Sequence, residues 1–465
     1  MTNFLLNGAP RTITPEPGRT VLDQLRLHER LTGTKEGCAE GDCGACTIAI
    51  GRVSGDTLKF SSANACIMLA SELDGCAVVT AEGLAQNGAL APVQSALVEA
   101  HASQCGFCTP GFVMSLYAYA QNPIPESAPE KTAAIFDNLA GNLCRCTGYR
   151  PIIDAAATLH HHPDPRTATW RAQLNDLPAD TGAPATLEEL DAAYAATPTA
   201  KLIAGTTDLG VAIAKHGTVP AAMISLRRIA ELKTITETAT SLIIGATATY
   251  SEILPYLETH FPAFATLVRR IGAVQIRNLG TMGGNICTAS PIGDSAPCLL
   301  ALDATLHLRS GAGQRKIKID DFFLAYRQTA MREAEYLTAI EIPFLKPAEK
   351  FFANKISKRF EEDISTVAAA FKVTITGNII TFIRTGFGGM AATPARAKHA
   401  EAALINQPLS PATFVKAAEK IADDFTPLSD FRATAGYRSQ TAAGLIRRLG
   451  AQLMDPETQV EIFAL

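Results

Sequence analysis

The sequence predicts a multidomain α+β protein that opens with a β-grasp-like unit and continues into a four-helix bundle. Three observations support this fold class. At 465 residues the chain exceeds one ordinary core, so about two to four domains are expected. A hairpin signal, a capped helix and a further strand follow one another before residue 50. Four short helix candidates, several opening with proline, then fill residues 90–160.

Each element has a local reason. Phe4-Leu5-Leu6 and Arg11-Thr12-Ile13 flank Asn7-Gly8, a dipeptide suited to the tight turn of a hairpin. Thr20 to Leu25 starts a helix, with Thr20 as N-cap and Asp23 in the first turn. A glycine-rich loop from Gly37 to Cys46 leads into the strand Thr47-Ile48-Ala49-Ile50. Pro92 to His101, Pro110 to Ala120, Lys131 to Leu139 and Pro151 to His160 read as the four helices of a compact bundle. Pro163, Pro165, Pro178 and Pro184 then sit among small and polar residues, which is linker composition. His160-His161-His162 belongs to that solvated run, because three consecutive side chains converge poorly on one ion. Beyond residue 185, Leu202-Ile203-Ala204 and Leu242-Ile243-Ile244 are buried-strand candidates, and Pro343 to Pro347 separates a final segment. The expected division is 1–84, 85–160, a linker over 161–184, then 185–344, and a small α/β domain over 345–465.

Composition narrows the function. The chain is 47% hydrophobic and 18% charged, as expected of a folded globular protein. Its net charge of −4 supplies no basic footprint for nucleic acid. No apolar run reaches the length of a bilayer span, and no secretory pattern opens the chain, so a cytoplasmic location is expected. Thiols stay reduced there, and clustered cysteines bind metal or do redox work. Nine of the eleven cysteines precede residue 150.

Eight of those nine form two sets. Cys38, Cys43, Cys46 and Cys66 are spaced C-x4-C-x2-C-x19-C, the plant-type pattern for a [2Fe–2S] cluster in a ferredoxin-like domain. Glycines in the 37–46 loop let backbone N–H groups point at the sulfurs and stabilise added negative charge. Cys105-Gly106-Phe107-Cys108 and Cys144-Arg145-Cys146 make the second set, and each pair stands just before a predicted helix. Two helix N-termini would direct positive ends at these thiolates, which suits a second [2Fe–2S] cluster. Structural zinc is the competing occupant of either set. Cys76, Cys287 and Cys298 are expected to be buried apolar thiols.

No G-x-G-x-x-G follows a strand, so a Rossmann site is not supported. Two other glycine-bearing segments could cradle a pyrophosphate with N–H groups and hydroxyls: Lys201 to Asp208, and Asn278 to Asn285 running into Ile286-Cys287-Thr288-Ala289-Ser290-Pro291.

The C-x4-C-x2-C, C-G-F-C and C-R-C-T-G-Y segments, with Gly283-Gly284-Asn285, Thr288-Ala289-Ser290-Pro291 and Asp294, resemble the iron–sulfur and FAD regions of the molybdenum hydroxylase family. The resemblance covers nearly the whole chain. Within the family, the chain is most similar to the iron–sulfur/FAD small subunits of the bacterial xanthine dehydrogenase branch, where both parts are fused in this order. It implies an α+β FAD-binding domain of the molybdenum hydroxylase type over 185–344. The implied FAD contacts are Lys201, Leu202, Ile203, Ala204, Gly205, Thr206, Thr207, Asp208 and Leu209, then Thr281, Gly284, Asn285, Thr288 and Asp294, with Leu337 and Lys355. Residues 355–364 match a loop that passes near the flavin ring, and Tyr326 matches a position bordering the nicotinamide. Animal members place Phe where this chain has Ile271, and Asp where it has Glu362.

The same resemblance implies two [2Fe–2S] clusters and FAD on this chain, NAD+ as acceptor, and a molybdenum cofactor on a separate partner subunit in a dimer of heterodimers. Electrons would run from molybdenum through the helical-domain cluster, then the ferredoxin-like cluster, to FAD and NAD+. No general base or nucleophile is nominated on this chain. An equivalent subunit serving an aldehyde or N-heterocycle hydroxylase, or a zinc-stabilised interaction protein without redox function, are the alternatives.

Overall fold

The structure is a computed structural model that describes residues 1–178 and 180–455. They form two compact units, one of Met1–Ile229 with Gly272–Gly280, the other of Ala230–Ile271 with the chain from Thr281 onward. Among the described residues, no helix is long and apolar enough to cross a membrane.

In the first unit, β1 (Thr2–Leu6) and β2 (Ala9–Ile13) pair antiparallel, with Leu6 opposite Ala9. The two-residue turn is Asn7-Gly8, at φ 52° and 86°, the left-handed pair a primed turn requires. Strands β3 (Thr47–Ser54) and β4 (Thr57–Asn64) form a second hairpin, and β5 (Ala77–Val79) completes a five-stranded sheet ordered β2-β1-β5-β3-β4. Its alternation buries both faces. Phe4, Leu6, Ile48, Ile50 and Val78 pack with Val21, Leu22 and Leu25, the start of the helix whose cap Thr20 accepts from the Asp23 N–H at 3.1 Å. Leu5, Ala49, Ala77 and Val79 instead share a core with the helices that follow. The β-grasp sheet therefore needs the bundle to cover its second face.

That bundle comprises the helices Pro92–Glu99, Thr109–Ala120, Ala128–Leu139 and Arg150–Thr158, close to the expected bounds. The second is buried along its length from Gly111 to Ala120 and is the central element. The expected linker is more ordered than its prolines suggest. It contains the helix Thr167–Asp176, which buries Trp170 and Leu174, one turn apart, in the core of the bundle. Lys201–Ile203 then pairs parallel with Met223–Ser225 across the helix Thr207–His216. Residues 272–280, inside the range expected for the FAD-binding domain, pack in this first unit. Fully buried Arg277 ties them down, bonding Asp137 at 2.5 Å and the Gly272 carbonyl at 2.9 Å.

The second unit holds a five-stranded antiparallel sheet ordered Gly313–Lys318, Thr305–Ser310, Tyr336–Pro343, Ser241–Gly245, Ile235–Glu237. Helices Tyr250–His260, Pro262–Arg269 and Ser295–Ala301 pack on it around Leu242, Ile244, Phe261, Phe264, Leu299 and Ile340. A three-stranded antiparallel sheet follows, Glu349–Ile356, Val367–Thr376 and Ile379–Gly388. The helices Lys398–Leu404, Pro411–Glu419 and Ala435–Met454 close its core on Phe371, Phe387, Phe414 and Leu449. Strands precede helices in this last part, an α+β order.

Candidate iron–sulfur and flavin sites

The 37–46 loop has no regular structure because its backbone is spent on wrapping. Ala39, Gly41 and Gly44 all adopt positive φ, at 56°, 82° and 66°. This turns N–H groups inward: Glu40 and Cys43 donate to the Cys38 sulfur at 3.5 and 3.3 Å. Asn64 lies at the end of β4 and reaches the Cys46 sulfur at 3.9 Å, and Cys66 follows two residues later. Cys46 and Cys66 are buried, whereas Cys38 and Cys43 are half-buried. The four thiols interact directly. Bonding to Cys43 and Cys66 holds the Cys38 thiol far below its ordinary range, while bonding to Cys38 and burial push Cys43 up. Cys66 likewise holds Cys46 down.

The second set is brought together from two helix starts. Cys108 is the N-cap of Thr109–Ala120, so its thiol stands at the positive end of that helix. Cys144 and Cys146 lie in the turn before Arg150–Thr158, whose N-cap Tyr149 is left-handed at φ 68°. Tyr149 Oη accepts from the Cys144 N–H at 2.9 Å and fixes that turn. The sulfurs meet in pairs, Cys105 with Cys146 and Cys108 with Cys144. Burial raises the Cys144 thiol, but bonds from the Thr147 hydroxyl and from the Thr147 and Cys146 N–H groups outweigh it and bring it to about 7. Cys108 is pushed up to about 12 by burial and by Cys144. Cys105 and Cys146 are exposed.

Among the described residues, no three His, Cys, Asp or Glu groups gather around one metal-ion position. In the first set Cys38 bonds both Cys43 and Cys66, and Cys66 also bonds Cys46, whereas in the second Cys105 meets Cys146 and Cys108 meets Cys144. A set of four thiolates fits a binuclear cluster, in which two thiolates serve each iron. Cys76 and Cys298 are buried and Cys287 is half-buried, and none joins either set.

The flavin candidates divide between the units. In the first, Lys201–Ile203 ends in the turn Ala204-Gly205-Thr206, and Thr206 is the left-handed N-cap (φ 62°) of Thr207–His216. A β-branched residue is strained there. A Cβ at Gly205 would collide with the Leu279 carbonyl, so the turn lies tight against that backbone. The Thr206 hydroxyl is buried and has no protein partner. Asp208 and Lys201 are exposed, while Thr207 and Leu209 are half-buried.

In the second unit, Thr281 caps the short helix Met282–Cys287 by accepting from the Gly284 N–H at 3.0 Å. Gly283 has no room for a Cβ against the Ala246 carbonyl. Thr288 donates back to the Gly284 carbonyl at 3.0 Å. The Asn285 Oδ1 atom is buried without a protein partner, the second such orphan among the sequence-derived candidates. Asp294 accepts from the Lys355 ammonium at 2.7 Å and from the Ser365 hydroxyl at 2.5 Å. Lys355 also donates to the Arg270 carbonyl at 2.8 Å, so its charge is neutralised inside the protein. Leu337 is a core residue of its strand. Within each unit taken by itself, an orphaned polar atom on a glycine-cleared turn is what a bound polar group would satisfy.

Sequence reasoning missed Arg270 and Ser365. Arg270 donates to the Lys355 and Phe360 carbonyls and to Ser357 Oγ, at 2.9, 3.0 and 3.0 Å, holding residues 355–360 in place. Both partners lie at least 71 residues away along the chain, beyond the reach of any local motif.

Together the fold and its donor sets define an iron–sulfur protein with a flavin-type second half. Four family descriptions match it in succession. They are the 2Fe-2S iron-sulfur cluster binding domain over 4–71 and the [2Fe-2S] binding domain over 80–157. The FAD binding domain in molybdopterin dehydrogenase follows over 179–345, and the CO dehydrogenase flavoprotein C-terminal domain over 352–453. Xanthine dehydrogenase of Drosophila subobscura is 34% identical, over 90% of this chain and 36% of its own length. Aldehyde oxidase 2 of Cavia porcellus is 31% identical, over 85% of this chain and 35% of its own. The chain thus spans about a third of the curated relatives it matches. A chain of reconstituted CO dehydrogenase from Oligotropha carboxidovorans superposes with a TM-score of 0.55 at 27% identity, covering 58% of this chain and 96% of that one. The chain belongs to the molybdenum hydroxylase family, as an iron–sulfur/FAD member.

Proposed function

We propose that this chain is the electron-transfer part of a cytoplasmic xanthine dehydrogenase. It would take electrons from a separate molybdenum-cofactor subunit that converts hypoxanthine and xanthine to urate, and deliver them to NAD+ in a dimer of heterodimers. The observation that carries the reading is the presence, in one unit, of two all-cysteine sets on a chain that also carries the FAD domain. When bound, the clusters supply single-electron steps and the flavin connects these to a two-electron hydride.

The chain's own residues hold and insulate these groups. N–H groups of Glu40, Cys43, Cys146 and Thr147 face the ligand sulfurs and favour a more negative cluster. Burial of Cys46, Cys66 and Cys144 excludes water from part of each set. For the flavin, Thr206 and Asn285 offer unsatisfied polar atoms, the 201–209 and 281–288 turns offer backbone donors, and Arg270 braces residues 355–360 while Lys355 pairs with Asp294. Residues 201–209, 281, 284, 285, 288, 294, 337 and 355 are the proposed FAD set.

The test is the holoenzyme isolated with its partner. Two distinct [2Fe–2S] signals, one flavin per chain and xanthine-dependent reduction of NAD+ are expected. Full activity on an aldehyde with none on xanthine would move the assignment to another hydroxylase, as the similarity to aldehyde oxidase allows. A colourless protein would overturn the redox reading entirely.

A further inference from the structure

The two cysteine sets meet at a junction the redox reading does not by itself require. Leu143, the neighbour of Cys144, donates its N–H to the carbonyl of Cys43 at 3.0 Å. One residue earlier, Asn142 donates its side-chain amide to the Gly44 carbonyl at 3.1 Å and to Thr47 Oγ1 at 3.3 Å. Consecutive carbonyls of the first loop are thus gripped by consecutive residues of the second.

Three glycines clear the space. A Cβ at Gly44 would meet the Gly141 carbonyl and Asn142, one at Gly111 would meet the Gly44 carbonyl, and one at Gly141 would meet Gln275 and Ala273. Each lies within three residues of a ligand cysteine, at Cys43, Cys108 and Cys144 respectively.

Gln275 comes from the segment that leaves the flavin part of the sequence and packs in this unit. It is fully buried, and Ser115 and Asn142 are nearly so. Its amide donates to Asn142 Oδ1 at 3.0 Å and to Ser115 Oγ at 3.2 Å, while the Ser115 hydroxyl donates to Asn142 Oδ1 at 2.6 Å. Asn142 therefore has its acceptor end fixed by two donors and its donor end fixed on the first cluster loop. A side chain clamped at both ends has one orientation, and so has the peptide that follows it.

We propose that Gln275, with Ser115 and Asn142, is a positioning device that sets the spacing between the two clusters. It holds the ligand Cys43 to the ligand Cys144 through a single Leu143 N–H···O=C contact. With both clusters bound, one electron would pass between them, oxidising one and reducing the other, and this contact would set the distance it crosses, with no proton or further reactant needed. The proposal rests on the redox reading. It extends it by assigning a role in iron–sulfur coupling to a residue from the flavin part of the chain.

The experiment is low-temperature electron paramagnetic resonance of the fully reduced holoenzyme, where two nearby paramagnets split one another's lines. Gln275→Met keeps the volume and removes the donor. It is expected to retain iron and both signals but to lose the mutual splitting. Asn122→Ala removes a partly buried bond from an exposed side chain between the same two domains, to the Phe60 carbonyl at 3.1 Å, away from the cysteines. It is expected to keep the splitting. Should Gln275→Met lose iron, Ser115→Ala takes its place as the milder removal, again with reduced splitting expected. Unchanged splitting in an iron-replete Gln275→Met or Ser115→Ala protein would overturn the proposal alone, as would an equal loss in Asn122→Ala. Absence of two iron–sulfur signals in the unsubstituted protein would overturn the redox reading as well.

Discussion

Replacing Lys355 with methionine isolates the electrostatics of the flavin half. The lysine and aspartate side chains are only 2% and 9% exposed and meet at 2.7 Å. The substitution keeps the length and apolar stem but removes the ammonium. Asp294 would then keep one donor, the Ser365 hydroxyl, for a carboxylate shielded from water. Breaking a buried pair at one end typically costs 3–5 kcal/mol, and the remaining hydroxyl places this case near the lower end, at about 3 kcal/mol. That corresponds to roughly a hundredfold shift in the unfolding equilibrium. The assay is urea unfolding of the flavin-stripped protein, so that flavin affinity does not enter. Asp294→Asn combined with Lys355→Met should recover much of the loss, since the neutral amide still accepts from Ser365 and leaves no uncompensated charge. A single-variant loss below about 1 kcal/mol would refute the reasoning, because it would mean that water or another cation compensates Asp294.

Asn285→Ala should leave the flavin-free stability nearly unchanged, since Oδ1 has no partner to lose, yet weaken FAD retention by about tenfold, the worth of one hydrogen bond. Flavin release on dilution measures it. Cys144→Ser should remove one [2Fe–2S] signal, lowering iron from about four to about two per chain while leaving the other signal in place. Acid unfolding should show a contribution from Glu341, which Lys316 and His307 hold down to about 2. A carboxyl depressed in the folded state stabilises fully above its ordinary value of 4.5, and that support disappears as pH falls from there toward 2. Glu341→Gln should therefore flatten the stability profile over that window, and an unaltered slope would remove this assignment.

The parts of this protein that were legible in the sequence are those built by neighbours in the chain. Asn7-Gly8, the Thr20 cap and the proline-started helices act within a few residues, and the structure has each of them where local chemistry places it. The cysteine spacing is legible for a related reason, because three ligands lie on one loop. The helix Thr167–Asp176 was hidden because its evidence is tertiary. Trp170 earns its burial from Phe60, whose ring meets it edge-on at 6.1 Å, while the flanking prolines argue locally for a linker. Arg270, Ser365 and Gln275 were hidden more completely. Each is an unremarkable polar residue until distant backbone surrounds it, and burial then makes every bond it forms obligatory.

The placement of Gln275 bears on why the iron–sulfur and flavin parts share one chain. Residues 272–280 contribute Gln275 to the cluster junction, Arg277 to Asp137 of the helical bundle, and Asn278 to the Ser62 carbonyl at the end of the β-grasp sheet, at 2.9 Å. This nine-residue segment thereby reaches both iron–sulfur domains, with the polar side chains of Gln275 and Arg277 fully or almost fully buried. A surface tether would have no reason to bury an arginine and a glutamine, whose desolvation must be met by bonds of good geometry. The segment is better understood as a structural part of the iron–sulfur unit that the sequence reaches only after entering the flavin half. Deleting its anchoring charge through Arg277→Met would leave Asp137, half-buried, without this bond, and the consequence should be read in the iron–sulfur signals before it is read in the flavin.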